Sequence, residues 1–174
     1  SSQTKFGNNS LHHLVYNDFL DANFDFPTNL DTRVTAQGRT VISLWFYPTK
    51  LDPDPNFGGV LLWSDRIKLY HRTSGTVVYA SGTTSVENTT PLTLNAWNFI
   101  RVEQVGSDAT LSVNGVTGAD YPNADPILFF AGDRLYVGAD NAGAGKLNTI
   151  TRGFEGYVDH LTINVTGDSA FRTS

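Results

Sequence analysis

The chain reads as an all-β protein, a two-sheet antiparallel β-sandwich of the jelly-roll kind, and three observations carry that expectation. Short apolar-alternating segments recur along its 174 residues, each closed by Gly, Asn, Asp or Pro. Asn114-Gly115 stands between Val113 and Val116, and both turn residues tolerate the positive φ that a tight hairpin needs. No segment keeps a helical period for longer than about two turns. Many short strands with such punctuation make a sandwich or jelly roll.

The elements follow in order. In 97–116, WNFIRVEQVGSDATLSVNGV, Ile100 and Val102 point one way and Arg101 and Glu103 the other. After the turn GSDA, Leu111 and Val113 alternate with Thr110 and Ser112, so this is an antiparallel hairpin with one buried face. The stretch 40–48, TVISLWFYP, is apolar at both parities, with Ile42, Leu44 and Phe46 against Val41, Trp45 and Tyr47. It is expected as a central strand ended by Pro48. GGVLLWS (58–64), RIKLYHR (66–72), TVVYAS (76–81), DRLYVGA (133–139) and GYVDHLTINV (156–165) complete the set. In the last, the apolar parity shifts between Val158 and Leu161, which places a bulge near Asp159. Ile42, Leu44, Phe46, Ile100, Val102, Leu111 and Val113 are the expected core. Trp45, Trp63 and Trp97 also lie at strand positions and are expected to pack inside. With no internal repeat and no low-complexity linker, residues 1–174 are expected to form one domain.

Composition narrows the function. A net charge of −5 with 12 scattered basic residues argues against nucleic acid, whose binders cluster Lys and Arg. No apolar run reaches the roughly 18 residues of a membrane helix, so membrane insertion is not expected. The N-terminus shows no charged-then-apolar leader. A chain that starts at Ser1 and has no Met is expected to be a trimmed product or an excised piece. Cys is absent, which removes disulfides, zinc-thiolate sites and thiol nucleophiles together. Of 17 acidic residues only three are Glu, and the Asp excess belongs to turns.

The succession FGNNSL, ISLWFYP, GGVLLWSD, IKLYHRTSGTVVYAS, LNAWNFIRVEQVGSDATLSVNGV, DRLYVGA and GFEGYVDHLTI resembles a laminin G-like domain of the concanavalin A-like lectin/glucanase superfamily, over about residues 5–166. The most specific part is the W-x-F-x-x-V…L-x-V-N-G hairpin, followed by L-x-V-G and G-F-x-G-x-V-D. Within the superfamily the chain is most similar to the cysteine-free bacterial and bacteriophage type. The resemblance implies two packed antiparallel sheets and a binding role.

The superfamily includes glucanases, so catalysis has to be weighed. Retaining hydrolysis needs two carboxylates about 5–5.5 Å apart, which on a strand means acids at alternate positions, as in the E-x-D-x-x-E of the related hydrolases. Here Glu103 has Arg101 and Val105 as same-face neighbours, and Glu155 has Gly153 and Tyr157. A lyase would want a Tyr or His base beside a cation. LYHR offers Tyr70, His71 and Arg72, but alternation puts Tyr70 and Arg72 on one face and His71 on the other. The chain is therefore not expected to be an enzyme. His12 and His13 are adjacent and cannot chelate one metal together from a strand.

Calcium takes six to eight oxygens from Asp, Asn and carbonyls, which rim loops can supply. The resemblance implies such an ion held by an Asp just after the LLW strand, where Asp65 stands, with a second ligand from a neighbouring loop. Asp120 is the candidate, with Asn123, Asp125, Asp140 and Asn141 as alternatives. A turn residue capping the hairpin before Ile67 is the other use of Asp65. For a ligand, Phe57 and Tyr121 sit in turn-rich segments, with Asn123 and Asn141 as amide partners. Binding is expected on loops at one rim, in segments 52–58, 120–126 and 140–145, with the strand faces committed to packing or short polar side chains. Asn8, Asn88 and Asn164 lie in N-x-S/T sequons that are near chance in this composition.

The expected function is a non-catalytic binding or adhesion module at an extracellular or virion surface. Its partner would be a glycan, a surface protein or other virion subunits, as in a phage capsid decoration or appendage protein. A laminin G-like adhesion domain of a cellular protein is the alternative, ahead of a polysaccharide-active enzyme.

Overall fold

A computed structural model describes residues 11–13, 20–22, 38–51, 58–64, 67–118, 121–122, 135–138 and 153–166. Among them every regular element is a strand. In chain order these are β1 Leu11–His13, β2 Leu20–Ala22, β3 Arg39–Lys50, β4 Gly59–Trp63, β5 Ile67–His71, β6 Val77–Ser81 and β7 Thr84–Asn88. There follow β8 Asn98–Val105, β9 Asp108–Val113, β10 Val116–Thr117, β11 Tyr121–Pro122, β12 Leu135–Val137 and β13 Glu155–Thr166. One sheet runs β1-β13-β3-β8-β9-β10, with β11 also pairing β9; the other runs β2-β12-β4-β5-β6-β7. Every pairing is antiparallel.

Alternation decides which residues the sheets bury against each other. On β3, Thr40, Ile42, Leu44 and Phe46 are buried, while Val41, Ser43, Trp45 and Tyr47 are half-buried on the outside. The seven residues expected in the core are each at most 1% exposed. Leu62, Ile67, Leu69, Val77, Tyr79 and Val86 meet them from the opposite sheet. Phe46 packs edge-on against Phe154, with ring centroids 5.1 Å apart.

Two side-chain networks inside the sandwich tie the sheets together. The Tyr79 hydroxyl on β6 donates to Gln104 Oε1 on β8 at 2.9 Å, and Gln104 Nε2 donates to the Gly106 carbonyl. A satisfied buried link of this kind joins the sheets in one arrangement. Asn88, fully buried at the end of β7, donates to the carbonyls of Leu111 and Val116 and accepts from Thr90 N. Its amide ties the edge of one sheet to β9 and β10 of the other. This sequon asparagine is committed inside the fold, whereas Asn164 on β13 is exposed.

The Asn114-Gly115 turn forms as expected, with φ of 53° and 81°. Asn114 Oδ1 accepts from Phe99 N, and its Nδ2 donates to Asn98 Oδ1. The bulge in β13 also appears, as a register shift between Asp159 and Thr162 around His160, whose φ is 51°. Pro48 does not end its strand. The β3–β8 register stops at Phe46↔Asn98, so the missing proline N–H removes no bond from that ladder, and β3 runs on to Lys50. No strand is expected from the sequence at β7, where Val86 is its one buried apolar residue.

Candidate functional site

β13, β3 and β8 lie side by side in the first sheet, and register lines up their outward residues in rows. Tyr157 lies opposite Tyr47. Trp97, just before β8, extends the row: Tyr47 meets Trp97 at 5.5 Å and 67°, and meets Tyr157 at 5.7 Å and 82°. In the next row Trp45 lies opposite Phe99 on one side and Asp159 on the other. The Trp45 and Phe99 rings are 5.0 Å apart and tilted by 43°. All five rings are half-buried. Such aromatic pairs contribute about 0.5–1.5 kcal/mol each beyond their buried area. They brace one another while part of each ring remains exposed.

Further along the same face the side chains become polar. Ser43 and Thr162, opposite each other in register, share a hydrogen bond of 2.7 Å. Arg101 lies opposite Ser112, and Glu103 opposite Thr110. Glu103 accepts from Arg39 Nε and from Arg101 Nη2. Hydrogen bonds from Arg39 and Arg101 hold its carboxyl below the usual range, against an opposing effect of burial.

The other two glutamates are likewise bound to cations. Glu155 pairs with Lys50 at 3.8 Å, and Glu87 accepts from Arg72 at 3.0 Å and from Thr76 Oγ1 at 2.6 Å. The three glutamates stand on three different strands, β7, β8 and β13. Each of the three is engaged in an ion pair, and Glu87 belongs to the other sheet from Glu103 and Glu155.

On the outside of the second sheet, Lys68 Nζ sits 4.1 Å from the centroid of the half-buried Trp63 ring, its register partner. Tyr70 shares that parity and is half-buried, Arg72 is exposed, and His71 is turned inward and fully buried, as alternation requires. His71 Nδ1 lies 3.1 Å from the Arg72 carbonyl, which can only accept, so Nδ1 carries the proton. Among the described residues Nε2 is then a lone pair without a donor. A Cβ on Gly59 would come within 2.5 Å of that nitrogen, so the glycine is what lets β4 pass so close. Burial lowers the imidazole pKa to about 4, outweighing the carbonyl bond.

Several sequence expectations fall outside this geometry. Phe57, Asn123 and Asn141, expected to bind ligand, and Asp65 and Asp120, expected to bind metal, lie outside the described residues. Tyr121 is described through its backbone, which pairs with Ala109 at the edge of β9. Among the described residues no three His, Asp or Glu side chains cluster as metal ligands.

The tryptophans are a correction. Trp45, Trp63 and Trp97 are half-buried on outward faces and do not belong to the buried core. With them falls the expectation that strand faces carry packing or short polar groups alone. A signal existed: Trp97 and Phe99 share parity with Arg101 and Glu103, which point to solvent. For Trp45 there was none, because both parities of β3 are apolar.

A family model described as the Concanavalin A-like lectin/glucanases superfamily, of laminin G type, matches residues 21–165. No curated protein matches the chain in sequence. Among solved structures, the CBM40 module of the Ruminococcus gnavus IT-sialidase, bound to α2,3-sialyllactose, is similar at a TM-score of 0.65 and 14% identity. That likeness covers 94% of each chain. Domains LG4-5 of the mouse laminin alpha1 chain give a TM-score of 0.59 at 13% identity, over 93% of this chain and 47% of theirs. Domain 4 of AbnA, an extracellular arabinanase from Geobacillus stearothermophilus, in complex with arabinotriose, gives 0.54 at 13% identity, over 78% of this chain and 64% of that one. The chain thus spans less than two thirds of the last two. At these identities the likeness is one of fold.

Proposed function

Because this chain belongs to the Concanavalin A-like lectin/glucanases superfamily, we propose that it is a non-catalytic carbohydrate-binding module displayed at an extracellular or virion surface. The observation that carries the reading is the outward face of β13, β3 and β8, where five half-buried rings adjoin hydroxyl-bearing side chains. Sugars present the same two chemistries, apolar C–H faces and a hydroxyl edge, and aromatic bodies beside a few placed polar groups suit them. The similar CBM40 module holds sialyllactose and the similar arabinanase domain holds arabinotriose. That the role is binding without turnover is supported by the three glutamates, each engaged by a cation. Surface display is supported by the cysteine-free composition, which suits a virion protein assembled in reducing cytosol. No helix among the described residues is long and apolar enough to cross a membrane.

The proposal includes a calcium ion held through Asp65 and Asp120. It is supported by the place of Asp65 immediately after β4 and Ser64, with oxygen chemistry that suits a hard cation. The binding role is tested on a broad glycan array, followed by incubation of every bound sugar with the protein and analysis for cleavage products. Retention of at least one glycan without cleavage is expected. An empty array rejects the binding role, and products that disappear in Glu103→Gln reject its non-catalytic nature.

A further inference from the structure

We propose that the outward face of the β1-β13-β3-β8-β9-β10 sheet is the carbohydrate platform, and that it takes an extended, uncharged polysaccharide laid across β13, β3 and β8. This rests on the carbohydrate-binding reading above and adds the face, the direction and the ligand class. Tyr157, Tyr47 and Trp97 follow one another across neighbouring strands, with centroid steps of 5.7 and 5.5 Å. The step is set by the strand spacing of about 4.8 Å. A pyranose is about as broad as an aromatic ring, so successive sugars of an extended chain pass successive side chains, whose ring planes turn by 82° and 67° from one to the next. Trp45 and Phe99 form a second row beside the first and widen the platform.

Hydrogen-bonding groups stand where the sugar hydroxyls would reach. Ser43 follows Trp45 at the next outward position on β3, with Thr162 opposite. Their shared bond uses one donor and one acceptor lone pair, and each hydroxyl keeps further capacity. Charge sets the ligand class. The described Arg and Lys side chains of this face are held by carboxylates, Arg39 and Arg101 by Glu103, and Lys50 by Glu155. Beside Trp45 in register stands Asp159, only 7% exposed, its Oδ1 3.7 Å from His160 Nδ1. An acidic sugar would find no described Arg or Lys of this face that a carboxylate does not already hold, whereas an uncharged chain needs none.

The test uses the full chain carrying Trp63→Phe, so that Trp45 and Trp97 are the remaining tryptophans. It is titrated with cellohexaose, xylohexaose and mannohexaose, and with sialyllactose as the acidic comparison. Tryptophan emission is expected to shift with at least one of the uncharged chains. Trp97→Ala and Tyr47→Ala are expected to weaken that binding roughly tenfold or more. Circular dichroism checks that each variant is folded.

Silence with all three uncharged sugars overturns the platform, as does tighter binding of sialyllactose. So does unchanged affinity in folded Trp97→Ala and Tyr47→Ala. Each of these leaves a positive glycan array intact, so failure of the platform is separable from failure of the binding role. A parent that sediments as a dimer and becomes monomeric on Trp97→Ala assigns the face to self-association and overturns the inference as well.

Discussion

His71 shows what a single residue carries when strand alternation turns a titratable group inward. Phe46 stacks on its ring at 5.7 Å, Gly59 closes on Nε2, and the Arg72 carbonyl takes the Nδ1 proton. The folded protein therefore holds the imidazole neutral, with a pKa of about 4 against an ordinary 6.5. Because the folded value is the lower one, the unfolded chain takes up the proton first as the solution is acidified. The stability from this site is complete above about pH 6.5 and is lost progressively as the pH falls toward 4. The full loss is about 3 kcal/mol. Urea denaturation at stepped pH values should show this decline, and His71→Leu, apolar and of similar bulk, should flatten it. An equal decline in parent and variant would assign the acid sensitivity to other groups. The inward turn of His71 was legible in LYHR, since Tyr70 and Arg72 claim the other parity. Its orphaned nitrogen was not, because that depends on what β4 places against it.

The β8–β9 hairpin was legible almost entirely. Strict alternation gives its buried face and the GSDA segment its turn, closed at Gly106-Ser107, while Asn114-Gly115 turns β9 back into β10. Leu111 is fully buried at the middle of β9, opposite Val102. Leu111→Ala is expected to cost about 2–5 kcal/mol, the lost transfer energy plus the cavity. A shift of the urea midpoint with an unchanged slope would register it. A change of less than about 1 kcal/mol would mean that the two sheets collapse onto the site more freely than a packed sandwich does. β3 was legible in position, and Ile42, Leu44 and Phe46 lie inside as expected, but with both parities apolar Trp45 was expected inside as well and is not. β7 was not legible, since TSVEN owes its strand form to pairing with β6 and to the Asn88 clasp on β9 and β10.

At the scale of the molecule, two sheets are held by one continuous apolar layer, with Tyr79–Gln104 as a polar link inside it. Rim loops on such a scaffold can hold a ligand without altering the layer, and a ligand bound to the folded state alone raises the melting temperature by mass action. If Asp65 holds calcium, millimolar calcium should raise the melting temperature of the wild type, and Asp65→Ala should remove the rise. The same rise in both proteins would exclude Asp65 as a ligand.

The fold class, most of the strands, the buried parity and the Asn-Gly turn were determined by the sequence alone, because all of them follow from period-two alternation and local turn chemistry. The aromatic face was decided by tertiary structure. Tyr157, Tyr47 and Trp97 come from segments far apart in the chain, and only the pairing of β13 with β3 and of β3 with β8 sets them in one row. Which side of β3 meets the second sheet and which meets solvent is likewise settled by the sheet that packs on it. A strand apolar on both faces carries no local mark of that choice.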